Sequence, residues 1–117
     1  MSEIIRKNGN GRYSEAVIKD GILYVAGQVG DTPDASVEQQ TRELLATIDR
    51  ILAENGSDKE HILAATVVLA DIKNVAEMNA VWDAWVVKGA EPTRMCFEGK
   101  LVSPAWRVEV CLTAAVK

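Results

Sequence analysis

The stretch Ile62-Leu-Ala-Ala-Thr-Val-Val-Leu-Ala70 decides the fold. It is almost wholly apolar, rich in branched residues towards its end, and far short of the ~20 residues a bilayer span requires. A run of this kind fits a strand covered on both faces. Helical patterns flank it. Upstream, Val37, Leu44, Leu45, Ile48, Ile51 and Leu52 recur at spacings of three and four, so residues 37–54 read as an amphipathic helix. Ser36 with Gln39 fits a capping box, Asp34 is a competing cap, and Asn55-Gly56 supplies a left-handed stop. Downstream, Asn74 with Glu77 opens a second helix with the stripe Val75, Met78, Val81, Trp82, Trp85 and Val86. Lys88-Gly89 ends that helix, and Pro92 forbids its continuation.

Further out, Tyr13–Lys19 and Ile22–Val29 are β-rich runs joined by Asp20-Gly21, a strong hairpin signal. Two more strands are expected over Thr93–Leu101 and Arg107–Val116. The order is therefore β-β-α-β-α-β-β in one domain, residues 1–117. Strands joined through helices imply parallel crossovers and the terminal hairpins imply antiparallel pairs, so the sheet is mixed. Two helices cover only one face of it. The other face must be solvated or covered by another subunit. In the last strand Val108, Val110, Leu112, Ala114 and Val116 alternate to one side. Arg107, Glu109, Cys111, Thr113 and Ala115 make the other, which reads as a partner-facing surface containing a polar site.

Composition removes many functions. The 117 residues carry 13 Lys and Arg against 17 Asp and Glu, a net charge of −4, which disfavours nucleic acid and anionic membranes as partners. The start, Met1-Ser-Glu-Ile-Ile-Arg6, lacks the basic-then-apolar order of a secretory signal, so a cytoplasmic protein is expected. Cys96 and Cys111 are too few for a disulfide scaffold, and with His61 the only histidine no metal site is expected. GxGxxG, GxxxxGK[ST] and GxSxG are all missing, which removes common nucleotide and serine-hydrolase readings.

Five residues are candidates for chemistry. Arg94 follows the rigid Glu91-Pro92-Thr93 approach and shares a strand face with Cys96 and Glu98. It suits a bidentate clamp for a small carboxylate, or else an ordinary cross-strand ion pair. Glu109 could orient or deprotonate a water, or simply pair with Arg107 or Lys100. Cys96 has no base placed near it, which favours an inert thiol over a nucleophile. Tyr13 could line a pocket or pack at a sheet edge. Gly27 within Val-Ala-Gly-Gln-Val suggests a close backbone approach.

Taken in order, these residues resemble the RidA (YjgF, UK-type) family of reactive-intermediate deaminases. The resemblance runs from about Gly11 to the C-terminus, through Gly11–Val17, Leu23–Val29, Thr66–Asp71 and Met78-Asn79 to Pro92-Thr-Arg-Met-Cys96 and Val108-Glu109-Val110. Short-looped, Trp-containing YoaB-type members are the most similar. The resemblance implies a chorismate-mutase-like α+β sandwich, with a mixed sheet and two helices on one face, assembled as a homotrimer with ligand clefts between subunits. It implies hydrolysis of imines such as 2-aminoacrylate and its tautomer 2-iminopropionate to 2-keto acids and ammonia, with no cofactor. Arg94 would hold the substrate carboxylate, while the Cys96 carbonyl and Glu109 carboxylate would place the attacking water. Tyr13, Gly27 and Asn79 would line or support the pocket. The chain also departs from the family pattern. Arg12 stands where most relatives have proline, Glu15 where they have glutamine, and Ala26 where many carry serine. Gly30 replaces a frequent proline, and the loop through Asp31–Asp34 is shorter.

Two functions follow. One is an imine deaminase, favoured because Arg94 and Glu109 are both retained. The other is a non-catalytic binder or sensor of small 2-keto carboxylates. Chorismate mutase chemistry is a distant third, since a dicarboxylate usually demands several cationic contacts.

Overall fold

The computed structural model describes residues 3–117. Its elements are β1 (Ile5–Lys7), β2 (Ala16–Lys19), β3 (Ile22–Gln28), α1 (Val37–Glu54), β4 (Ile62–Leu69), α2 (Val75–Trp85), β5 (Thr93–Glu98) and β6 (Val108–Ala115), with short 3-10 turns at Lys59–His61 and Ile72–Asn74. The fold is α+β: a six-stranded mixed sheet, order β1-β2-β3-β6-β4-β5, with both helices on one face.

Local chemistry sets most boundaries as expected. Asp20 and Gly21 take φ of 53° and 78°, the left-handed pair that a two-residue hairpin demands. Ser36 accepts the Gln39 N–H (3.1 Å) at the start of α1, and Gly56 at φ 75° follows its end. The capping box is only half formed, because the Gln39 amide turns to Thr32 and Glu43. Asp34 caps nothing; its own N–H donates to the Ala105 carbonyl (3.0 Å). At α2, Asn74 makes no side-chain cap, and Glu77 reaches across to accept the Glu38 N–H of α1 (2.8 Å). A carboxylate at another helix's N-terminus answers both its free amides and its dipole.

The core lies between helices and sheet. Leu44, Ile48 and Leu52 of α1 and Met78 of α2 are fully buried with Leu23, Val67, Val108 and Val110 of the sheet. Burying each such side chain contributes about 1.5–3 kcal/mol.

Three expectations change. β1 is an additional strand, paired antiparallel with β2 outside the expected hairpin. Short and wholly exposed, it carries no burial pattern that a sequence could reveal. β5 and β6 are not a hairpin. β6 inserts between β3 and β4 and runs antiparallel to both, while β4 and β5 are parallel neighbours. The β3–α1–β4 crossover does leave β3 and β4 pointing the same way, with β6 between them. Finally, β4 is covered on one face only: Ile62, Ala65, Val67 and Leu69 are buried, whereas Leu63 and Ala64 are exposed. The open face also presents Tyr24, Met95 and Phe97, each roughly half exposed.

Candidate functional site

β3 and β6 fall out of register between Val25 and Gln28, and Gly27 lies in that irregularity. The Glu109 carboxylate of β6 sits over the glycine so closely that a Cβ built there would collide with it. Any side chain there would push the carboxylate out of this position. Glu109 and Gly27 share a cleft of about 380 Å³ with Tyr13, Ala26, Val29 and Val102. Tyr13 precedes β2 rather than beginning it, because the Asn10 side chain accepts both the Arg12 and Tyr13 N–H groups (2.9 and 3.0 Å) and turns the chain there. Val102, almost fully exposed in the loop after β5, lines the cleft's rim and was not a sequence candidate. Glu109 makes no ion pair among the described residues. Of its expected alternative partners, Arg107 donates to the Ala35 carbonyl instead (2.9 Å).

The remaining candidates gather elsewhere. Arg94 lies on β5 with its guanidinium carbon 5.4 Å from the centre of the Trp82 ring and Nη1 4.0 Å from the Met78 sulfur. Trp82 is held by Trp85, whose ring centre is 5.6 Å away and whose indole N–H donates to the Asp49 carboxylate of α1. Arg94 has no carboxylate partner among the described residues, so the cross-strand ion pair does not form. Cys96, two residues on, packs partly buried against the core. Glu98 accepts the Ile72 N–H (3.1 Å). The shared face expected for Arg94, Cys96 and Glu98 is thus the helix face. Asn79, between Met78 and Trp82 on α2, has a buried side-chain oxygen with no hydrogen-bond partner. An orphaned buried acceptor of this kind asks for a donor.

Register separates the two groups. Arg94 is paired with Ala65 of β4, and Glu109 with Val68. Those β4 positions are three apart, so alternation sends the side chains to opposite faces of the sheet. One chain therefore brings Tyr13, Gly27 and Glu109 together on the open face, and Arg94, Cys96 and Asn79 on the helix side near the β5 edge. It does not bring Arg94 to Glu109. The role of Trp82 as a platform for Arg94 was not read from the sequence, where its spacing with Trp85 suggested core or interface. The signal for it was that same spacing, since Met78 and Trp82 share a helix face with Trp85.

Chemically, the halves are complementary. A guanidinium on an aromatic platform offers a fixed fork for a carboxylate, and an unpaired carboxylate above a glycine can hold a water.

The profile of the family described as Endoribonuclease L-PSP matches residues 5–116. The RutC family protein YoaB of Escherichia coli K12 is 42% identical over 113 residues, covering 97% of this chain and 98% of YoaB. The crystal structure of NMB1025, a YjgF-family protein of Neisseria meningitidis, superposes with a TM-score of 0.95 at 45% identity, covering 98% of this chain and 96% of that one. A rat protein named 2-iminobutanoate/2-iminopropanoate deaminase is 29% identical over 124 residues, covering 94% of this chain and 90% of its own.

Proposed function

The chain belongs to the RidA/YjgF family, with YoaB-like members among its relatives, and on that premise we propose that it is a hydrolytic deaminase of imines derived from small 2-amino acids. The observation that carries this reading is the pair of unsatisfied charges, Arg94 on Trp82 and Glu109 over Gly27, on opposite faces of the sheet. Opposite faces of one chain meet only when a second copy presents its own. The proposed assembly is a homotrimer in which each cleft joins the Arg94 side of one subunit to the Glu109 side of its neighbour. The half-exposed Tyr24, Met95 and Phe97 on the open face support an apolar surface of that kind.

In the proposed reaction Arg94 holds the substrate carboxylate and so fixes the imine carbon. Glu109, with the Cys96 carbonyl, places a water against that carbon and accepts its proton as the C–O bond forms. The carbinolamine collapses as Glu109 returns its proton to nitrogen and takes up the hydroxyl proton, so that the C–N bond breaks, the C=O bond forms, and ammonia and a 2-keto acid leave. A protonated imine is already electrophilic, so orientation and a placed water supply most of what is needed.

The test is an assay in which 2-aminoacrylate is generated in situ and pyruvate release is followed. Faster release with the protein than without it is expected. Binding of pyruvate with no acceleration would replace this reading with that of a non-catalytic keto-acid binder.

A further inference from the structure

Asp49 of α1 is a half-buried carboxylate without an ion-pair partner among the described residues. The arginines of its own helix are engaged elsewhere: Arg42 with Glu38 (2.5 Å), and Arg50 with Glu54 and Glu15 (2.9 and 3.1 Å). Aspartate is a poor helix former, so neither propensity nor charge pairing accounts for it in the middle of α1. Both of its oxygens instead accept the indole N–H of Trp85, at 3.2 and 3.1 Å. A hydrogen bond to an ionised carboxylate is roughly twice as strong as a neutral one, which makes this a firm tether for a ring.

The tether leads to Arg94 in short steps. It starts from a fixed point, because Ile48 beside Asp49 is fully buried in the core. Trp85 is the last residue of α2, where helix ends fray and a side chain is least confined. Its ring centre lies 5.6 Å from that of Trp82, at an interplanar angle of 48°. The Lys59 ammonium stands 5.5 Å from the same Trp85 ring. Trp82 in turn carries the Arg94 guanidinium 5.4 Å from its ring centre. A cation resting on a ring follows that ring, so a tilt of Trp82 turns the fork of Arg94 with it. Two parallel hydrogen bonds to a carboxylate depend on how that fork is aimed.

We propose that Asp49 is a positioning residue for the carboxylate clamp: by holding the Trp85 indole it fixes Trp82 and, through Trp82, the Arg94 guanidinium. The inference rests on the deaminase reading and adds to it a residue that touches neither substrate nor Arg94. The clamp is then aimed from α1, across α2, to β5.

The test compares D49A, D49N and W85F by calorimetric titration of 2-oxobutanoate and by the NMR signal of the Arg94 Nε–H, assigned through its loss in R94A. In the unmodified protein the Trp82 ring current should displace that signal from the position of exposed arginines. In D49A, and in W85F, which keeps a ring but has no N–H, the signal should move back towards that position. Both should bind 2-oxobutanoate about three- to tenfold more weakly. D49N, whose amide oxygen still accepts the N–H, should behave as the unmodified protein. R94A/D49A should bind no more weakly than R94A, because the effect passes through the guanidinium. Parental affinity with an unmoved Arg94 signal in D49A and W85F overturns the proposal. So does a loss from D49A that keeps its full size in the R94A background, or a D49N protein that behaves like D49A. Should D49A fail to fold, W85F breaks the same hydrogen bond from its other end and decides the matter. If the unmodified protein binds no 2-oxobutanoate, the deaminase reading falls by itself, and the Arg94 signal alone decides whether Asp49 places the guanidinium.

Discussion

An arginine on an exposed strand ordinarily finds a carboxylate; Arg94 instead rests on Trp82 and the Met78 sulfur. The stacking, worth about 0.5–2 kcal/mol, holds the guanidinium without neutralising it, so its fork stays available to a ligand. Arg94→Ala should therefore weaken 2-keto acid binding by roughly ten- to a hundredfold. Arg94→Lys should rescue little, because an ammonium has no fork. Glu109→Gln keeps the shape above Gly27 but cannot take a proton. It should bind keto acids normally and turn imines over at least ~10²-fold more slowly. Calorimetry beside the pyruvate-release assay reads both, and parental turnover by Glu109→Gln would remove Glu109 from the mechanism. Gly27→Ala tests the same carboxylate from beneath. The new methyl occupies the place of the Glu109 oxygen, so turnover should drop about tenfold or more through misplacement alone. A Gly27→Ala protein with unchanged melting temperature and unchanged rate would show that the close approach has no catalytic purpose.

At the scale of elements, the loop from Gly30 into α1 is held by one carboxylate. Glu43 accepts the Asp31 and Thr32 N–H groups (2.9 and 3.0 Å), the Thr32 hydroxyl (2.8 Å) and the Gln39 amide (3.1 Å). These hydrogen bonds, led by those from Gln39 and Thr32, lower its pKa from 4.5 to about 2. A depressed pKa in the folded state stabilises above the unfolded value, and that stability is lost as pH falls through the folded one. Denaturant midpoints should thus decline between pH 4.5 and about 2, and Glu43→Gln should flatten that decline. Identical pH slopes for the two proteins would refute the latch. Gln40 beside it, fully buried, donates to the Thr32 and Ala105 carbonyls and accepts the Arg107 N–H, tying this loop to the one before β6. None of this was legible in the sequence. Ser36-to-Gln39 and Asn55-Gly56 announce helix ends because capping is local, and Asp20-Gly21 announces a turn for the same reason. Gln40 and Glu43 meet partners through folding, and nothing in their immediate neighbours marks them. The insertion of β6 between β3 and β4 escaped for a like reason, since alternation specifies which residues share a face but not which strand lies alongside. Alternation did group Arg94 with Cys96 and Glu98, and it set Glu109 opposite the apolar side of β6. The relation between those two groups became visible only through the Ala65–Arg94 and Val68–Glu109 pairings.

Those pairings also dictate what the whole molecule must do if the proposed site is correct. A cleft built from the Arg94 side of one subunit and the Glu109 side of the next is heterologous, and such contacts close into a ring when the rotation permits. Sedimentation or light scattering should then give three times the chain mass, and a monomer at micromolar concentration would leave every cleft half built. The sharper test uses two inactive proteins. Arg94→Ala subunits retain Glu109, and Glu109→Gln subunits retain Arg94. When the two are co-expressed and assemble at random, a cleft is intact if Arg94 comes from a Glu109→Gln subunit and Glu109 from an Arg94→Ala subunit. Each condition is met half the time, so about a quarter of all clefts in the mixture regain both groups. Imine turnover should rise from near zero in either pure variant to about a quarter of the parental rate in the mixture. A double variant carrying both substitutions in one chain, co-expressed with the unmodified protein, supplies the control. There too about a quarter of the clefts keep both groups, so the two mixtures should agree. Had the site lain within one chain, the first mixture would stay inactive and the second would retain half the parental rate. That pattern would place Arg94 and Glu109 in a single subunit, against the register of the sheet.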